Sequence, residues 1–224
     1  MTRTTNARIA GATYLLYIAL GLTSMYVGRG LAGSSSAERL ALIAEHAGRA
    51  RLDIVLSLAV CLVAVTLAVA LWALTRDEDR ELATLGLSFR IFEGMLSMVA
   101  AVASLALLRL ATDHASGGAA RDALAELVFA LPGWNMLAAA FLFSIGSTLF
   151  TWLLLRGGMI PGPLAWLGLA ASLLLVVGIP LQMLGLLGGP AAQLVWLPML
   201  AFEVPLGFWL LLRGVTPARG RASA

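Results

Sequence analysis

Arg90, Glu93 and Glu203 sit inside runs of apolar residues, and they are the residues here whose types and spacing could do chemistry. Arg90 and Glu93 are three apart, so on a helix they share a face and can pair. An unpaired charge at the centre of a bilayer costs roughly 2.5–3.5 kcal/mol on insertion scales. Pairing lowers that cost without removing it. Such residues therefore point into a helix bundle rather than into lipid. The arrangement suits a centre that binds a proton or a ligand. Equally open is a purely structural role, an Arg–Glu clip that fixes helix packing beside a neutral, hydrogen-bonded Glu203.

The elements that must carry these side chains are read from composition. The chain has 224 residues, of which 60% are hydrophobic and 12% charged, with a mean hydropathy of +0.93. A soluble domain is usually about 45–50% apolar and about 25% charged. The excess runs along the whole chain, so the expectation is a single all-α domain, an integral membrane bundle. Six segments approach the roughly 20 apolar residues a membrane helix needs: 9–27, 53–74, 84–108, 135–155, 163–187 and 192–212. The first has Arg3 and Arg8 before it, like a secretory signal, but its apolar part is longer than a usual signal core and it is read as a retained helix. Trp72, Trp134, Trp152, Trp196 and Trp209 fall near span ends, where amphipathic rings favour the interface.

Short interfacial helices are expected in the first and third connections. Ser35-Ser36-Ala37-Glu38 resembles a capping box ahead of Leu40, Ile43, Ala44 and Ala47 at helical spacing. Asp122 to Ala130 is similar, and Pro132-Gly133 is expected to break it from the fourth span. Both are expected to act as packing lids. Gly188-Gly189-Pro190-Ala191 is expected to form a tight turn between the last two spans.

Orientation follows the basic residues, all fifteen of which are Arg. With cytoplasmic termini, that side holds eight: Arg3, Arg8, Arg76, Arg80, Arg156, Arg213, Arg219 and Arg221. The other side holds six: Arg29, Arg39, Arg49, Arg51, Arg109 and Arg121. The expected location is a cytoplasmic (inner) membrane, multi-pass, with both termini inside. In that frame Glu93 and Glu203 each lie nine residues from a cytoplasmic span end, roughly 13–14 Å deep at about 1.5 Å per residue. They could share one layer with Arg90. If they approach, one of the two is expected to keep its proton, because a dry site disfavours two like charges.

Further candidates surround this layer. Tyr14 and Tyr17 share a face of the first span, and their hydroxyls could reach the carboxylates. Pro198 and Pro205 flank Glu203, and each removes a backbone donor. Pro180 and Gln182 add a break and an amide to the fifth span, and Asn135 opens the fourth, where it could cap the helix. Arg51 and Asp53 are expected to pair at the start of the second span. Small residues at Gly11, Gly21, Gly94 and Gly146 would permit close helix approach. Phe92-Glu93 and Phe202-Glu203 form a weak echo of an inverted repeat.

Several chemistries are not indicated. The lone Cys61 forms no internal disulfide, and His46 and His114 fall in predicted loops, away from any intramembrane haem. There is no HExxH, no Walker loop and no GxSxG. Asp77-Glu78-Asp79 reads as a solvated charge run more than a cation site. No metal or cofactor is expected, no basic patch points to nucleic acid, and the oligomeric state is not encoded in any pattern.

The order of several short motifs resembles a known family. Ala7-Arg8-Ile9-Ala10-Gly11 with Tyr14-Leu15-Leu16-Tyr17, Phe89-Arg90 with Glu93, Leu155-Arg156-Gly157-Gly158 leading to Pro161, and Glu203 followed by Gly207-Phe208-Trp209-Leu210-Leu211 are similar to the bacterial membrane family known as domain of unknown function 4386. The resemblance covers nearly the whole chain and implies a six-helix inner-membrane protein. It implies no activity. Three functions stay open: binding or transport of a small amphiphile or ion at Arg90, Glu93 and Glu203; an intramembrane enzyme acting on a lipid or isoprenoid through a protonated carboxyl; and a structural or regulatory membrane partner without chemistry. The lipid bilayer is the one partner common to all three.

Overall fold

A computed structural model describes residues 2–113 and 119–216. Among them the chain forms helices α1 (Arg3–Arg29), α2 (Ser36–Glu45), α3 (Ala47–Thr75), α4 (Arg80–Thr112), α5 (Ala119–Arg156), α6 (Gly162–Met183), α7 (Gly189–Leu194) and α8 (Leu197–Leu212), with no strand. Six helical stretches are long and apolar enough to cross a membrane, the last running through α7 and α8. Their outer faces are as apolar as their inner ones: Leu62, Val102 and Val177 are all exposed. In water such a surface would aggregate; in lipid it is solvated. The protein is a six-span membrane bundle, as composition implies.

The long helices close into a ring. α1 packs between α3 and α8, α8 continues to α6, α6 to α5, α5 to α4, and α4 returns to α3. Two close approaches set the ring. Gly11 of α1 lies directly on α8, where a Cβ would strike the Leu211 amide and come within 2.6 Å of the Gly207 carbonyl. Gly168 of α6 seats the ring of Phe202 from α8. The main core lies inside this ring, with Leu67, Leu71, Phe150, Leu175, Ile179, Phe202 and Leu206 fully buried. A smaller core at the end away from the termini joins Leu40 and Ile43 of α2 to Leu107, Ala125 and Val128.

That second core explains α2. Ser35 caps it by accepting from the Glu38 amide at 3.2 Å, and Glu38 accepts from the Ser34 amide at 2.7 Å. The Ser34 hydroxyl and amide hold the Glu38 carboxyl below the usual carboxylate range. The capping box thus forms, and α2 serves as a packing lid.

The other connections depart from expectation. Asp122–Ala130 is no separate helix: it is the first part of α5, which runs unbroken through Pro132. Proline removes one hydrogen bond and bends a helix. Here both flanks are held, by Ala125 and Val128 in the second core and by Asn135 beyond it, whose amide donates to the Leu96 carbonyl at 2.8 Å. Asn135 is therefore a clamp between α5 and α4, not a cap. The last span is conversely interrupted. Instead of one helix over 192–212, α7 ends at Leu194 and α8 begins at Leu197. Pro198 stands in the first turn of α8, where its missing donor is harmless, whereas a helix continued through it would lose a bond and meet the ring. Gly189 likewise belongs to α7, with φ of 59°, and the turn after α6 occupies the residues before it.

Two smaller expectations also change. Arg51 and Asp53 do not pair, because residues two apart project from different sides of a helix; Asp53 accepts from the Ser24 hydroxyl of α1 at 2.7 Å. The Asp77–Asp79 run is tied down: Glu78 and Asp79 pair with Arg156 at 3.3 and 3.4 Å, and Asp79 caps α4. No group of three metal-ligating side chains forms among the described residues. His46 lies between α2 and α3 as expected, while His114, Arg219 and Arg221 lie outside the described residues.

Candidate functional site

The polar layer is built from α1, α4, α5 and α8. Arg90 of α4 is the largest fully buried side chain, at 1% exposure. Its slot exists because Gly146 of α5 has no side chain: a Cβ there would lie 2.9 Å from the Arg90 Cγ. The guanidinium stacks over Phe143 at 4.6 Å and lies 5.8 Å from the Tyr17 ring. One turn along α4, Glu93 meets it at 3.1 Å. The pair is an ion contact without hydrogen-bond alignment, so Arg90 Nε and Nη1 and Glu93 Oε2 have no hydrogen-bond partner among the described residues. The other Glu93 oxygen accepts from the Tyr17 hydroxyl at 2.9 Å. Arginine, carboxylate and phenol thus tie α4 to α1 and α5 inside the ring.

Glu203 reaches the same region from α8. It is 93% buried, yet it makes no hydrogen bond or ion pair among the described residues. Its carboxyl faces a cavity of about 440 Å³, and Glu93 is the other charged residue of the lining. The remaining walls are apolar and aromatic: Tyr17, Gly21, Leu22 and Met25 from α1, Met136, Ala140 and Phe143 from α5, and Trp196, Met199 and Leu200 around the α7–α8 junction.

The cavity exists because α1 and α8 touch only over part of their length. Near the termini Gly11 and Gly207 bring them together, with Gly207 against Tyr14 and Leu15. Toward the other end the cavity lies between α1, α5 and the α7–α8 junction, and α1 and α5 have no substantial packing of their own among the described residues. At Gly21 a Cβ would meet nothing within 4 Å. Gly11, Gly21, Gly94 and Gly146 are the small residues expected to allow close helix approach; the structure gives that role to Gly11 and Gly146, leaves room for a Cβ in ordinary contact with α3 at Gly94, and places Gly21 on the cavity wall. Leu22, Met25, Met136 and Leu200 are exposed at its rim, so the cavity opens at the bundle's side, in the half away from the chain termini.

Of the residues singled out by sequence, Arg90, Glu93, Glu203 and Tyr17 converge. Tyr14 is buried next to them, against Gly207, without a hydrogen bond to either carboxyl among the described residues. Asn135 is outside the lining, and so is Gln182, at the end of α6, whose buried amide nitrogen has no hydrogen-bond partner among the described residues. The Phe-Glu echo holds only for the glutamates: Glu93 and Glu203 are both buried, whereas Phe92 is 58% exposed and Phe202 is 1% exposed. Phe143 and Trp196 were not singled out as site residues. Their rings lie 6.1 Å apart and form one wall. Position near a span end points to the interface for Trp196; in the structure it stands at the α7–α8 break and lines the cavity.

Fold and site together define a multi-pass membrane protein with a buried Arg–Glu–Tyr cluster and a side-opening cavity. The family described as Domain of unknown function (DUF4386) matches residues 9–214, and the chain belongs to that family. No curated protein and no solved structure matches the chain.

Proposed function

We propose that this protein binds a small amphiphile in the cavity beside Glu93 and Glu203, as the binding step of transport or sequestration in a bacterial inner membrane, with both termini cytoplasmic. One observation carries the proposal: an apolar cavity of about 440 Å³ is lined by Glu203, a buried residue whose carboxyl makes no hydrogen bond or ion pair among the described residues. Ligand sites are typically clefts of about 300–1,000 Å³ with apolar walls and a few convergent polar groups. A carboxyl kept in such a place is costly unless something completes it. The side opening gives an amphiphile dissolved in the bilayer a direct route. The arginine distribution between the two ends of the bundle supports the orientation.

The test is mass spectrometry of small molecules retained by the purified protein. Gly21 lines the cavity and a Cβ there would meet nothing within 4 Å, so Gly21→Phe is expected to fold, to fill part of the cavity and to lose the retained species. Identical profiles for wild type and folded Gly21→Phe would sink the proposal. A structural or regulatory role for Arg90, Glu93 and Glu203 would then stand in its place.

A further inference from the structure

We infer that the ligand of this cavity is an organic cation with an apolar body, which pairs with Glu203 and competes there with a proton. The inference rests on the binding proposal above and names its ligand class.

Charge decides the sign. Within the layer Arg90 is matched by Glu93 at 3.1 Å and lies behind it, outside the cavity lining. A ligand therefore meets carboxyl oxygens and not the guanidinium. An anionic head would face two carboxyls with no cation in reach. A neutral apolar ligand would leave Glu203 unsatisfied, as it is now. A cation completes it, and in a dry site that pairing is stronger than in water. The walls add a second, independent argument. Tyr17, Phe143 and Trp196 all line the cavity, and aromatic faces attract organic cations, which is the basis of aromatic cages for quaternary ammonium groups. Met25, Met136 and Met199 supply soft, adaptable surface for a body of variable shape.

The proton follows from the same geometry. The groups that act on Glu203 are Tyr14 of α1 and Arg90 and Glu93 of α4, with Tyr17 of α1 sharing its cavity. The lining contributed by α5 is apolar, and α6 carries no titratable residue. Arg90 is already paired with Glu93 at 3.1 Å, so its attraction for an ionised Glu203 is opposed by the Glu93 charge and by burial. The carboxyl holds either a proton or a cation, and binding one releases the other.

Two ions of nearly equal shape and opposite charge test this. Tetraphenylphosphonium and tetraphenylborate would be titrated calorimetrically into the purified protein in nonionic micelles, with protein-free micelles as the blank. The expected result is saturable binding of the phosphonium alone. Its affinity should weaken on acidification, by up to about tenfold per pH unit once Glu203 is protonated. Glu203→Gln should abolish binding, Glu203→Asp should retain it more weakly, and Gly21→Phe should block it. If Glu203→Gln does not fold, the wild-type pH profile decides. Preference for the borate, equal binding of both ions, binding of neither, or phosphonium binding that ignores pH would each overturn the inference. Whether the cavity is a ligand site at all is judged separately, by the species retained in wild type and lost in Gly21→Phe.

Discussion

At the scale of single residues, the bundle keeps a full ion pair where apolar side chains would pack more cheaply. Arg90 and Glu93 are 2% and 5% exposed as side chains, and their contact leaves hydrogen-bonding capacity unused. Removing one partner of a buried pair typically costs about 3–5 kcal/mol, because the other is stranded, whereas replacing both with apolar residues is often neutral or stabilising. Arg90→Leu is therefore expected to lose about 3–5 kcal/mol, and Arg90→Leu with Glu93→Leu is expected to recover most of it. Unfolding of the two single variants and the double variant in mixed micelles gives the coupling directly. Additive losses would mean the two side chains do not act as a pair. The pair itself was legible in the sequence because ionisable residues stand out within an apolar span, and a spacing of three fixes a shared face. What completes it was not. The Tyr17 bond and the Phe143 stack depend on how α1 and α5 are rotated about their axes, and no pattern within α4 encodes that.

At the scale of helices, the shape of the site is set by where α1 may and may not touch its neighbours. Hydropathy marks the spans well, since all six recur in the structure, the first four longer at both ends and the fifth ending earlier, at Met183. It says little about rotation, because lipid and neighbouring helices are equally apolar and the outward face of a span looks like its inward face. Gly11 and Gly21 make the point: both were legible as small residues, but only three-dimensional packing separates a glycine under a neighbouring backbone from one beside empty space. The difference is measurable. Gly11→Ala places a methyl against the Leu211 amide and Gly207 carbonyl, where no side chain can swing away, and is expected to cost about 1–3 kcal/mol. Gly21→Ala meets nothing and is expected to gain up to about 1 kcal/mol from helix propensity. Thermal unfolding of the two variants checks this, and equal shifts would refute the asymmetric closure of α1 on α8. Local rules failed elsewhere in the same physical way. Pro132 was expected to end a helix, but packing on both sides of it outweighs one lost bond. Pro198 does start a new helix, since there the chain has only to place its ring in a first turn.

At the scale of the whole molecule, the cavity has a direction only once the bundle has one. Six spans put the start of α1 and the end of α8 at the same end, and the cavity opens in the opposite half. With eight of the fourteen arginines outside the polar layer assigned to the terminal end and six to the other, the proposed orientation puts the termini in the cytoplasm. In that orientation the cavity would open to the outer leaflet, and a cation would be taken from that side. Cysteine labelling reads this orientation directly, because the one native thiol, Cys61, is buried within α3. A membrane-impermeant maleimide added to intact cells is expected to leave the wild type unmodified. Ala37→Cys, exposed in α2, should react in intact cells. Glu81→Cys, exposed at the start of α4, should react only after the membrane is opened. The reverse pattern would turn the bundle over. The cavity would then draw from the inner leaflet, and a carboxyl that exchanges a proton for a cation would load from the cytoplasmic side instead.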